Sequence, residues 1–308
     1  MAIGFVGLGI MGTPMALRLL RAGTDLVVWN RSPHRCGPLE RAGARIAANP
    51  AEVFDSCSAV ILMLSDEAAA DAVLGRTAEG EVAVGVAGRT VVHMGTIAPA
   101  ASRSLGADIE AAGGRYVEAP VSGSRGPAEE GTLVAMLAGD PEPVAEAARI
   151  IAPLCADQVV CGPVPAALTL KLAVNTFLIT LVTGLAEAFH FAERQGLDPG
   201  LLARVLDAGP MASAVSRAKA DKLVSGDFAP QAAVTDVFKN SRLVVEAARA
   251  AGAAAPLMEA CLRAFADADR SGHGGRDMAA VIEALRAADP GPAPERASAP
   301  APPPSGRG

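Results

Sequence analysis

The run Gly7-Leu8-Gly9-Ile10-Met11-Gly12 constrains this chain more than any other feature, because of where it falls. Ahead of it, Ala2-Ile3-Gly4-Phe5-Val6 reads as a short buried strand. Behind it, Pro14 to Ala22 reads as a helix, with a proline near its first turn and Gly23 just past its end. Strand, glycine turn and helix N-terminus in that order make a dinucleotide site. Gly7 permits the tight turn, Gly9 lets a pyrophosphate approach the backbone, and Gly12 lets helix pack closely on strand. The helix then aims its free N–H groups and its positive dipole end at the phosphates.

The next strand indicates which dinucleotide. Asp25-Leu26-Val27-Val28-Trp29 is apolar enough to be the second strand, and it ends at Asn30-Arg31-Ser32. An NAD site usually carries Asp or Glu here, accepting from the ribose 2′-hydroxyl. A neutral Asn followed by an always-charged Arg suits a 2′-phosphate instead, which Arg31 grips through paired hydrogen bonds and Ser32 meets with a hydroxyl. Arg35 lies close enough in sequence to help. NADP is therefore expected over NAD.

A chain of 308 residues is comfortable for two cores. Up to about residue 163, short apolar runs alternate with helical stretches. Strands are predicted over 59–64, 90–94, 115–118, 133–137 and 158–160, with helices around 50–56, 67–74, 98–112 and 141–153. Such alternation implies a mostly parallel sheet wound on both faces. After Gly162 it stops. Ala166 to Gln195 reads as one long helix, apolar nearly all round, and Asp198-Pro199 opens another. The fold class expected is α/β, an N-terminal Rossmann-type doubly wound sheet followed by an all-α C-terminal domain. Its units are an NADP-binding domain at 1–163, a helical substrate and oligomerisation domain at 164–288, and a disordered Pro/Ala-rich tail at 289–308.

Composition narrows the partners. A net charge of −6, with no basic stripe or stacking aromatics, argues against nucleic acid. Five scattered cysteines and four dispersed histidines give no metal spacing, so no metal is expected and a reduced, cytoplasmic setting fits. The N-terminus runs straight into the first strand, so no signal peptide is expected. Leu172 to Ala186 falls short of the roughly 20 apolar residues a membrane span needs; it is bounded by Lys171 and Glu187 and interrupted by Asn175. A buried helix, not a membrane, is the expectation. Its surplus apolar surface points to a partner subunit, in a homodimer or homotetramer.

Three polar elements could do chemistry. Lys171 and Asn175 stand four apart on the first turns of the long helix and project from one face. An ammonium and an amide on so apolar a helix are costly unless they face a polar cavity. In such a cavity Lys171 could stabilise the charge that a carbonyl oxygen gains as hydride arrives, and donate a proton to it. Desolvation would lower its pKa and let it serve as base in the reverse direction. The second element, Glu118-Ala119-Pro120-Val121-Ser122-Gly123-Ser124, reads as a strand breaking into a loop of small residues whose N–H groups and hydroxyls suit a carboxylate. The third is Lys239-Asn240 on a C-terminal helix, where a cation could close over cofactor or substrate.

In this order and spacing the elements resemble the β-hydroxyacid dehydrogenase family, over residues 1 to about 287. The resemblance rests on the glycine run with Pro14-Met15-Ala16, on 118–123, on Lys171 with Asn175, on Lys239, and on Gly275-Arg276-Asp277. It implies NADP(H)-dependent interconversion of a small β-hydroxy acid and its semialdehyde, or reduction of a related aldehyde or keto acid. Lys171 is then the catalytic lysine, with Ser122, Gly123, Ser124, Asn175 and Asn240 toward the substrate. Met63, Leu64, Thr96 and Lys239 join Gly7, Leu8, Gly9, Ile10, Met11, Gly12, Asn30, Arg31 and Ser32 around the cofactor. The Asn30-Arg31-Ser32 signature is similar to the glyoxylate/succinic semialdehyde reductase branch. Departures lie on the substrate side: Glu118 where the family usually has Asp, Ser124 and the pair Pro165 and Ala167 where it has Gly, and Asn240 where it has Asp. The alternatives weighed are an imine reductase on the same scaffold, against which Lys171 argues, and a catalytically silent NADP-binding protein.

Overall fold

The structure, a computed structural model, describes residues 2–289. Except for Asp289, the tail expected at 289–308 lies outside them. The first part alternates β1 (Ile3–Val6), α1 (Gly12–Arg21), β2 (Leu26–Trp29), α2 (Gly37–Arg41), β3 (Arg45–Ile46), α3 (Pro50–Ser56), β4 (Ala59–Leu62), α4 (Glu67–Leu74), β5 (Thr90–His93), α5 (Pro99–Ala111) and β6 (Arg115–Glu118). These six strands run parallel in the order β3-β2-β1-β4-β5-β6. β1, β4 and β5 are buried at every residue, as a parallel sheet covered on both faces requires. Neighbouring residues of one strand enter opposite cores: Ile61 packs with Phe5, Val28 and Val117, whereas Val60 and Leu62 pack with Val27, Val91 and Tyr116.

Beyond β6 come β7 (Val121–Ser122), α6 (Arg125–Glu130), β8 (Leu133–Gly139), α7 (Pro141–Ile151) and β9 (Cys155–Gly162). β8 runs antiparallel to both β6 and β7, and β9 runs parallel to β8. Here the structure differs from the sequence reading. The small-residue stretch after Glu118 is not a continuous loop: Val121–Ser122 pairs with β8, and Arg125–Glu130 turns into a helix closed by Gly131 at φ +75°. β3 and β7, two residues each, are too short to show a period and exist only because a neighbouring strand offers its hydrogen bonds.

The second part is helical: α8 (Ala166–Arg194), α9 (Pro199–Ala208), α10 (Ala214–Ser225), α11 (Val234–Ala250), α12 (Pro256–Ala268) and α13 (Ile282–Ala287). α8 joins two cores. Leu168 packs in the cluster on one sheet face, while Leu172, Ile179, Val182, Ala186 and Phe189 form a helical stripe in the second core. By length and composition α8 could cross a membrane, but α10, α11, α12 and α13 pack along it. Leu170, Phe177 and Phe191 stay exposed off the stripe, the surplus apolar surface expected from the sequence. The last described residue, Asp289, returns to α8, 3.1 Å from His190 and 3.4 Å from Arg194.

Asp277 ties the helical part together. Fully buried, its carboxylate accepts from Lys219 Nζ at 2.8 and 2.9 Å and from the backbone N–H groups of Gln231 at 2.9 Å and Ala279 at 3.1 Å. Breaking a buried pair leaves an uncompensated charge, at about 3–5 kcal/mol. Asp277→Ala is expected to cost that much in urea denaturation at neutral pH, against about 0–1 kcal/mol for Asp207→Ala in the exposed Arg217 pair.

Candidate active site

The strand order reverses direction at β1: the chain builds β2 and β3 on one side, then returns to lay β4 and β5 on the other. Loops leaving the carboxyl ends of β1 and β4 therefore diverge, opening a crevice where open α/β sheets bind ligands. The glycine turn is shaped for it. Gly7 has φ +100°, and a Cβ there would stand 2.2 Å from the Met63 carbonyl oxygen; one on Gly12 would stand 1.9 Å from that of Gly7. The fold itself demands these two glycines. A Cβ on Gly9 would meet nothing within 4 Å, so it would project into the open crevice. No side chain caps α1; Thr13 and Met15 N–H donate to the carbonyls of Gly9 and Met11, which leaves the N–H groups of the turn from Gly9 to Gly12 for an anion. An absent Cβ and uncapped amides fit a dinucleotide pyrophosphate.

Asn30 organises this turn. Its Oδ1 accepts from Leu8 N at 2.8 Å, and its Nδ2 donates to Ser32 O at 3.1 Å. Arg31 is exposed beside it, and Arg35 reaches toward Leu8 O at 3.5 Å. Across the crevice Asp66 caps α4. Burial opposes ionisation of its carboxyl, but bonds from Ser65 and Ala69 N–H, aided by the charges of Lys239 and Arg31, hold it below the usual range. Arg31 is thus within electrostatic reach of the far rim.

The crevice deepens into a cleft of about 370 Å³ between sheet and helices. Gly9, Ile10, Met11, Gly12, Met63, Leu64 and Thr96 line its sheet side, and Gly123 and Ser124 one edge. Lys171, Asn175, Lys239 and Asn240 come from α8 and α11. Of the residues predicted from sequence, Gly7, Leu8, Asn30, Arg31, Ser32 and Ser122 stand outside this lining. The sequence reading missed Asp236, Gln231, Met278, Leu178 and Ile179 on the wall. Helical spacing could have found three of them, since Leu178 and Ile179 follow Asn175 by three and four, and Asp236 precedes Asn240 by four.

The polar groups of the helical wall have unequal partners. Lys239 donates to the carbonyls of Ser65 and, at 2.8 Å, Thr96, linking α11 to the loops after β4 and β5. Asn175 is 2% exposed with Nδ2 unpaired, and the buried Oδ1 of Asn240 has no partner either. Lys171 is 7% exposed. Burial, with the Lys239 charge adding to it, pushes its ammonium down to about 8. Behind the rim, His93 is fully buried with both ring nitrogens unpaired, and burial lowers its pKa to about 4. Buried polar atoms are normally paired, so orphans on a cleft wall mark where a ligand's polar groups belong.

Because the folded lysine titrates below its unfolded range, its charged form is penalised at pH 7, and stability rises as pH climbs from about 8 toward 10.5. Lys171→Met removes a penalty on the order of 3 kcal/mol. A higher thermal midpoint at pH 7, narrowing toward wild type at pH 10, is the expected outcome.

Residues 2–162 match the family model for the NAD binding domain of 6-phosphogluconate dehydrogenase. Residues 166–285 match that for the NAD-binding domain of NADP-dependent 3-hydroxyisobutyrate dehydrogenase. Glyoxylate/succinic semialdehyde reductase 1 of Arabidopsis thaliana is 33% identical over 93% of this chain and 99% of its own. Among solved structures, a 3-hydroxyisobutyrate dehydrogenase from Salmonella typhimurium superposes with TM-score 0.82 at 26% identity, covering 92% of this chain and 99% of that one. A reductive aminase from Aspergillus terreus, complexed with NADPH, has TM-score 0.62 at 25% identity, with 92% and 99% covered.

Proposed function

The chain belongs to the β-hydroxyacid dehydrogenase family, NAD(P)-dependent oxidoreductases acting on CH–OH groups, and we propose that it uses NADP(H) to interconvert a small β-hydroxy acid and its semialdehyde, with Lys171 as general acid and base. The observation that carries this reading is an unpaired, desolvated lysine in the cleft that the glycine turn opens into.

Gly9 to Gly12 and the first turn of α1 would hold the pyrophosphate, and Arg31, Arg35 and Ser32 the 2′-phosphate. Bound NADPH supplies the hydride. As the substrate carbonyl oxygen gains negative charge, the Lys171 ammonium stabilises it and transfers a proton to it; the neutral amine then recovers a proton from solvent. In the oxidising direction the same amine takes the hydroxyl proton. The free N–H of Asn175 and the Gly123-Ser124 backbone offer donors to the substrate carboxylate. Burial of Lys171 limits its contact with water and holds its pKa down.

A second subunit completes the picture. Leu170, Phe177 and Phe191 are 40%, 71% and 63% exposed on one helix, a surface suited to a homodimer or homotetramer. Five free cysteines fit a reducing compartment such as the cytoplasm.

NADPH oxidation against glyoxylate, succinic semialdehyde, methylmalonate semialdehyde, tartronate semialdehyde and a cyclic imine tests the reading. Turnover of at least one carbonyl is expected, with reduction falling as pH rises through about 8 and oxidation rising through the same range. Lys171→Ala should keep NADPH binding and lose about 10²–10⁴-fold in kcat. Turnover of the imine alone would transfer the chain to the other chemistry. For the cofactor, Arg31→Ala should weaken NADPH far more than NADH in fluorescence titrations, and equal losses would remove the 2′-phosphate role.

A further inference from the structure

α8 begins without a cap of its own. Pro165 precedes it, offering neither an N–H nor a side-chain acceptor. Four N–H groups at a helix start need outside partners. Those of Ala166 and Thr169 find the carbonyls of Pro163 and Pro165, at 2.9 and 3.0 Å. The two between them, Ala167 and Leu168, face one carboxylate from another element: Glu118, at the end of β6, whose Oε2 accepts from Leu168 N at 3.1 Å. Fifty residues of chain separate the two.

Glu118 is itself held. It is fully buried, and its Oε1 accepts from Ser102 Oγ on α5 at 2.5 Å. Ser102 Oγ in turn lies 2.8 Å from Tyr116 OH, so the phenol donates to the serine and the serine to the carboxylate. Burial raises the Glu118 pKa, and the bonds from Ser102, Leu168 and Ala167, with the Arg103 charge, oppose that shift. A carboxylate at the positive end of a long helix is also favourably placed. No hydrogen bond joins Glu118 to Lys171. The connection runs through the backbone, because Lys171 stands three residues beyond Leu168, about one helical turn further on.

We propose that Glu118 is the positioning residue of this site: by closing the first turn of α8 onto the end of β6, its carboxylate sets where Lys171 stands over the cleft. This rests on Lys171 being the catalytic acid. The same carboxylate precedes the Ala119-to-Ser124 edge, so one buried group registers both the lysine and the substrate loop on the sheet.

The test compares kcat per NADPH-binding site, using the best carbonyl of the panel above, in Glu118→Leu, Glu118→Gln and Lys171→Ala. Glu118→Leu should lose about 10²-fold in kcat, the scale set by a displacement of about 1 Å. Its NADPH Kd should stay within about twofold, and the titration near pH 8 should move toward the ordinary lysine range. Glu118→Gln keeps an acceptor for Leu168 N–H and should return to within about fivefold of wild type, since a neutral acceptor loses only part of the bond. Wild-type kcat in Glu118→Leu, an equal loss in Glu118→Gln, or parallel loss of NADPH binding would each overturn the proposal. Should Glu118→Leu not fold, Ser102→Ala frees one carboxylate oxygen; an unmoved pH profile there overturns it equally. Full turnover by Lys171→Ala would instead sink the functional reading itself, whereas an inactive Lys171→Ala beside an unaffected Glu118→Leu would sink only the positioning role.

Discussion

α8 joins a core of the sheet to the core of the helical part, and the site depends on that joining. Its first turn is packed among the sheet residues through Leu168, and its later turns carry the stripe from Leu172 to Phe189 around which the helical part assembles. Interiors are close-packed and resist small displacements. A helix gripped at both ends therefore cannot slide without opening one core or the other. Lys171 lies at the seam, where the sheet contacts end and the helical contacts begin, and Asn175 one turn beyond. A flexible side chain acquires a defined position because its backbone is clamped on both sides.

Three lysines, Lys171 and Lys219 buried and Lys239 half-buried, show how differently one residue type can be accommodated. Lys219 meets the carboxylate of Asp277 and serves packing, fixing the loop that carries Gln231. Lys239 is satisfied by two backbone carbonyls from the opposite wall and joins the halves of the cleft. Lys171 has neither arrangement: it is desolvated, and the charge of Lys239 works against its own. The first two answer the cost of burying a charge with partners; the third leaves it unanswered. Unanswered cost in a cleft is what the proposed general acid requires, because a ligand can then supply the missing partner.

The cofactor turn divides its labour in a comparable way. Gly7 and Gly12 are required by the protein, since side chains there would collide with carbonyl oxygens of the turn and of the neighbouring strand's end. Gly9 is required by nothing in the chain and faces open space. Asn30, read from sequence as the neutral residue that admits a 2′-phosphate, also holds Leu8 in place through its amide.

Elements with a strong period or an unambiguous punctuation were legible in the residues. The strand-glycine-helix opening, the alternation up to Gly162, the helices opened by Asp66 and Asp198, and the span of α8 are local consequences of burial pattern, caps and backbone freedom. The pair Lys171 and Asn175 could be placed on one face from helical spacing alone. Other features had no local signal. Two-residue strands such as Val121–Ser122 exist only by pairing with a distant strand. Asp277 stands in the Gly275-Arg276-Asp277 motif, but its partner Lys219, 58 residues away, shows only in the fold. Glu118 likewise shows its partner only once β6 and α8 meet. The sequence by itself determined the longer strands and helices, because those choices rest on neighbours along the chain. Which polar groups end up paired and which stay bare in the cleft was decided by tertiary structure alone, because desolvation and hydrogen-bond satisfaction depend on what folds against a residue.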